Sequence, residues 1–113
     1  MATTISVEMQ NTEITTATTT TVVSAPAGAS DERRIKAGML NIRNKGNASN
    51  TITVIRDISA TDYEMSKFTL AAGEEWQNPW DVVLAGTTGS IEVTTSSTSA
   101  IDVVASYIAK VVV

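Results

Sequence analysis

Short runs of alternating apolar and polar residues follow one another along most of this chain, and turn residues interrupt them roughly every ten positions. A period of two suits strands and cannot present one stripe of a helix. No window of a dozen residues carries a clean helical period with caps at its ends. The residue types agree with the period. Ile and Val far outnumber Leu, and the 113 residues include 18 Thr and 11 Ser. Thr is β-branched and suits the wet face of a sheet. A chain of this length forms one domain and can bury roughly two-thirds of its unfolded surface. The pattern therefore predicts an all-β fold, an antiparallel two-sheet β-sandwich or jelly roll.

The runs can be followed in order. Ile5, Val7 and Met9 alternate with Ser6 and Glu8 and predict one half-buried strand, with the three apolar residues inward. Residues 15–23 are nearly all Thr and end in Val22-Val23. They are too polar to stay ordered alone, and read as extended chain that completes a sheet on an adjacent subunit. A loop over 24–30 leads to the charged group Asp31-Glu32-Arg33-Arg34, and 35–44 reads as one strand with Leu40 and Ile42 on one face. Lys45-Gly46-Asn47-Ala48-Ser49-Asn50 is a turn joining antiparallel strands, after which Ile52 and Val54 share a face. Further strands are expected over 63–70, around 82–84 and 91–94, and from 101 to the end. The expected organisation is an extended Thr-rich N-terminal arm over residues 1–30 and a β-sandwich over residues 31–113.

The last strand is unusual. Val103, Ala105, Tyr107, Ala109 and Val111 share one side, while Val104, Ile108 and Val112 share the other. A strand apolar on both faces needs cover on both. One sandwich core supplies a single cover, so the second is expected from another subunit or from the N-terminal arm.

Chemistry is sparse. The chain has no Cys and no His. Disulfides, Cys/His zinc sites, haem ligation through His, Ser-His-Asp triads and Cys nucleophiles are excluded. A net charge of −4 without a basic block disfavours nucleic acid and anionic membrane. There is no basic, apolar leader at the start and no stretch apolar enough to span a bilayer, so synthesis in a cytoplasm is expected. Asp57 with Asp62, or Glu74 with Glu75, could pair as glycosidase carboxylates, yet all four lie at strand ends or turns where solvated charge is ordinary. Asp31-Glu32 and the segment 57–62 offer too few oxygens in a row for a calcium loop. No catalytic, cofactor-binding or metal-ligating residue is assigned, and no cofactor is expected.

What is left is adhesion. Trp76 and Trp80 flank Asn78-Pro79, an arrangement that suits a sugar-stacking platform, or one Trp capping the core with the other at an interface. Arg33 and Arg34 are expected in ion pairs with acidic neighbours. The residues expected at an interface are Thr18, Thr20, Val22, Arg33, Arg34, Trp76, Trp80, Tyr107, Ile108 and Val112.

Three segments carry a resemblance. They are Leu40-Asn41-Ile42-Arg43-Asn44-Lys45-Gly46 with Thr51-Ile52-Thr53-Val54, then Leu70-Ala71-Ala72-Gly73-Glu74-Glu75, and then Leu84-Ala85-Gly86 leading through Gly89-Ser90-Ile91-Glu92-Val93 to Ala100-Ile101-Asp102-Val103. This region resembles small β-sandwich virion proteins of tailed bacteriophages. The Thr-rich N-terminal third departs from that pattern. The resemblance implies a non-enzymatic particle component, a capsid decoration or cement protein or a neck subunit at the head–tail connector. Its partners would be major capsid or neck proteins and copies of itself, with neither nucleic acid nor membrane. Its location would be the virion. The alternative is a fibre-tip or carbohydrate-binding adhesive module.

Overall fold

The computed structural model describes residues 2–113 and is all-β. Ten strands form two antiparallel sheets. They are β1 (Thr3–Ile14), β2 (Thr19–Val23), β3 (Glu32–Ile35), β4 (Leu40–Asn44), β5 (Asn50–Ile58), β6 (Thr61–Leu70), β7 (Glu75–Gln77), β8 (Val82–Ala85), β9 (Gly89–Thr95) and β10 (Ile101–Val112). One sheet runs β7-β4-β10-β3-β8, with β1 paired to β10; the other runs β2-β9-β5-β6. β10 organises the first sheet. β1 pairs with it over its full length, from Thr3 opposite Val112 to Ile14 opposite Ile101, while β4 and β3 pair with it over successive stretches.

The inner faces hold Ile35, Leu40, Ile42, Ile52, Val54, Leu84, Ile91, Val93, Ile101 and Val103, all essentially inaccessible. At about 25 cal/mol per Å² of apolar surface removed from water, this layer is the main source of stability. One pole of the sandwich is tied by polar side chains. Buried Asn44 donates to the carbonyls of Ala48 (2.7 Å) and Leu70 (2.9 Å) and accepts from Ser99 Oγ (2.9 Å). Buried Asn50 donates to the Ser99 carbonyl and accepts from the Ser96 and Ser97 amides. These asparagines satisfy backbone groups that a turn would otherwise leave orphaned inside the fold.

Several details differ from the sequence reading. The strand expected over 35–44 is broken into β3 and β4 by a turn in which Met39 N donates to Lys36 O and Gly38 adopts a φ of 84°. Asp31-Glu32-Arg33-Arg34 is not merely a charged cluster, because β3 begins within it. The Thr-rich segment does complete a sheet, as β2, and the strand it pairs with is β9 of the same chain. Within the first thirty residues, Ile14, Val22 and Val23 are buried in the common core.

Another concerns β1. Its alternation is present, but Ile5, Val7 and Met9 point outward, at 69%, 72% and 63% exposure. Register is the cause. Val7 lies opposite Ile108, which is on the outer face of β10, so every odd-numbered residue of β1 shares that face. Only Ile14, on the opposite parity, enters the core.

Candidate functional site

The expected interface residues divide sharply. Val22 is fully buried between the sheets, and Tyr107 is only 8% exposed. Neither is available to a partner, because both inner positions are filled by the protein's own core. Arg33 points to the same side as Tyr107; its guanidinium lies 4.8 Å from the ring centre and its Nη1 donates to Ser24 O. Thr18 lies in the bend between the two sheets and its carbonyl accepts from Thr95 N, while Thr20 is half-buried opposite Val93.

Trp76 and Trp80 close the open side of the sandwich. Trp76 stacks on Phe68 at 4.4 Å between ring centres, and Trp80 is tilted against Trp76 at 6.2 Å. Trp80 Nε1 donates to Ser66 Oγ. Both rings pack with Met39 and Met65 against the core. A sugar platform needs a free aromatic face, and Trp76 has given one to Phe68. The two indoles therefore act first as core caps.

Arg34, Ile108 and Val112 do come together. They lie on the outer face of the first sheet, with Arg34 opposite Ile108 and Val112 opposite Thr3. Sequence reasoning missed their neighbours. Ile5, Val7 and Met9 on β1 lie beside Val104, Ile108 and Val112 on β10 in a largely apolar band, which also holds Lys110 opposite Ile5 and Ser106 opposite Met9. β1 was a candidate to cover the second apolar face of β10. It lies beside β10 instead, and thereby widens that face. The parity of Ile5, Val7 and Met9 was the available signal; its direction depended on pairing with a strand a hundred residues away. Scattered exposed apolar residues are ordinary, whereas a contiguous band on one sheet face marks a binding surface. Charges border it: Lys45 Nζ lies within ion-pair reach of Glu13 and 3.2 Å from Asp102, and Arg43 lies 3.8 Å from Glu75. Two shallow hollows of about 360 and 370 Å³ flank Asp102 and Val104 on this same face.

The carboxylates weighed for catalysis or metal behave differently from one another. Asp31 accepts from Gly28 N and Val112 N, holding the end of β10. Glu74 caps its own turn by accepting from Ala71 N, and Glu75 faces Arg43. Asp57, Asp62 and Glu92 converge on the outer face of the second sheet, with carboxylate oxygens within 4.8 Å of one another. Partial burial raises the Glu92 carboxyl above its ordinary value, with Asp57 and then Asp62 adding to the effect. No Lys or Arg forms an ion pair with the three among the described residues. Their joint effect is mutual repulsion.

Comparison with known proteins supplies the fold and no family. No protein-family model matches the chain, and no curated protein matches it. The solved structures similar to it in fold include these two. One is from the T13 particle of IBDV, an icosahedral virus, with a TM-score of 0.56 and 14% identity, covering 94% of this chain and 30% of that one. The chain thus spans less than a third of that viral protein. The other is from the disulfide-linked pili of Bacillus endospore appendages, with a TM-score of 0.55 and 8% identity, covering 97% of this chain and 89% of that one. At such identities the likeness is one of fold. The chain is a two-sheet antiparallel sandwich of a kind that also occurs in a viral particle and in a pilus.

Proposed function

We propose that this chain is a non-enzymatic structural protein of a tailed-phage virion, a decoration or cement-type subunit that binds and stabilises the capsid shell or the head–tail neck. One observation carries the reading: Ile5, Val7, Met9, Val104, Ile108 and Val112 lie together on an outer sheet face that no other part of the described residues covers. The small titratable inventory, without Cys or His, fits a protein that adheres and does not transform a substrate. The viral-particle fold likeness and the resemblance of residues 40–107 point the same way. On this reading its partners are major capsid or neck proteins and copies of itself, and many weak contacts add up across a symmetric shell.

A pilus or appendage subunit is the second reading. It is favoured by the match to nearly the whole length of the endospore pilus protein. This chain has no Cys, so disulfide links of that pilus's kind are closed to it. The carbohydrate-binding alternative loses support from the stacking of Trp76 on Phe68.

Sedimentation of intact phage particles, followed by mass spectrometry, tests the proposal. The chain is expected in the virion fraction, and a variant with Ile5, Val7 and Met9 all changed to Ser is expected to stay in the supernatant. Finding the wild-type chain only in sheared cell-surface filaments would replace the first reading with the second.

A further inference from the structure

The outer edge of β1 carries information separate from the apolar face. A sandwich of this kind has several free strand edges, each a row of unpaired N–H and C=O groups. Most of them are blunted here. β7 and β8 are three and four residues long. β2 has five residues and a register shift at Thr21/Val23. β6 is long, but its pairing with β5 shifts at Val54/Ile55, and it carries Asp62, Glu64 and Lys67. β1 has twelve residues, an unbroken register, no Pro, no Lys and no Arg. Its one long partner is β10, so the groups of alternate residues on its other side face outward.

We infer that the free edge of β1 pairs antiparallel with β1 of a second copy, about a two-fold axis through Val7 that joins the two six-stranded sheets into one. The inference holds whether or not the protein belongs to a virion. It commits to a second copy because β1 is its own complement in that register. Val7 faces Val7, Ile5 faces Met9, and Thr3 faces Asn11, so apolar residues meet apolar ones on the outer face. On the other face Glu8 meets Ser6 of the partner, a group whose hydroxyl already donates to Glu8 within the chain at 2.9 Å. No acidic residue of the paired stretch faces another acidic one, which matters for a chain of net charge −4. Pairing residues 3–11 of each copy closes about 30 Å of edge. A two-fold contact of this type uses both edges and stops at two subunits.

Light scattering coupled to size exclusion tests this on the whole chain. The wild type is expected at twice the 11.9 kDa chain mass. Val7→Lys puts two ammonium groups face to face at the axis and is expected to weaken the dimer about tenfold or more. Because Val7 is 72% exposed, the variant is expected to keep the wild-type circular dichroism spectrum. Val7→Glu should behave likewise. An equimolar mixture of the two should recover the dimer, since opposite charges then meet at the axis. A monomeric wild type, an open-ended or larger assembly, an undiminished Val7→Lys dimer, or a mixture that stays monomeric would each overturn the inference.

Discussion

β1 and β6 invite comparison, because both are long strands at a sheet edge and they differ in nearly everything that governs association. β6 (ten residues) is bulged and carries two acids and a lysine along its length. β1 (twelve residues) runs straight and turns three large apolar side chains outward. A bulge twists an edge away from a partner, and a charge there must be desolvated before pairing can occur. β6 is built to remain alone. β1 has no bulge and no cation, its acids Glu8 and Glu13 lie outside the run Ile5–Val7, and the neighbouring face of β10 extends its apolar surface. A single sandwich thus keeps one side quiet and leaves the other ready to bind.

The comparison can be broken at the anchors of the two strands. Ile14 is the one residue of β1 in the core, and Leu70 holds the end of β6. Ile14→Ala and Leu70→Ala are each expected to cost about 2–4 kcal/mol in denaturant unfolding. Only Ile14→Ala should also raise amide exchange along 3–14, because no other β1 side chain is buried. Equal exchange in the two variants would mean that β1 is held by its pairing with β10 alone.

A smaller effect is expected from stripping β6 of its protection. Glu64→Val together with Lys67→Val removes charge from exposed positions, so the unfolding free energy should move by no more than about 0.5 kcal/mol. Self-association, read by light scattering, should increase. No increase would show that the bulge, with Asp62, suffices to keep β6 apart.

The smallest effect concerns Glu92, beside Asp57 and Asp62 on the face that β6 borders. Its proton affinity is raised in the folded state. Protonation therefore favours folding: the contribution is fully present below the ordinary Glu value and is lost as pH rises through the higher folded value. Glu92→Gln should stabilise the protein at neutral pH by about 0.3 kcal/mol, a small figure because solvent screens an open site. The gain should vanish when unfolding is measured below the ordinary Glu range. A gain independent of pH would point away from charge repulsion.

Much of this fold was legible before any coordinates. The turn around Lys45–Asn50, the strands on either side of it and the long final strand follow from alternation and turn residues. The break at 36–39 was not, although Gly38 lies within it, because a lone Gly in an apolar run is equally compatible with a continuous strand. Asn44 read as the end of a strand and Asn50 as the end of a turn; that these two and Asn78 are buried and engaged depends on carbonyls and amides brought from distant segments. Trp76 and Trp80 announced a functional surface, and Phe68 claimed a face of one of them.

By itself the sequence determined the class of element, the two-residue period, the poverty of reactive groups and the presence of apolar residues beyond what one core could absorb. Those are local or compositional properties, which any folded state must respect. The tertiary structure alone decided which parity of β1 faces water, and hence where the surplus lies. That choice rests on the register between Val7 and Ile108: a slip of one residue would turn Ile5, Val7 and Met9 to the inner side.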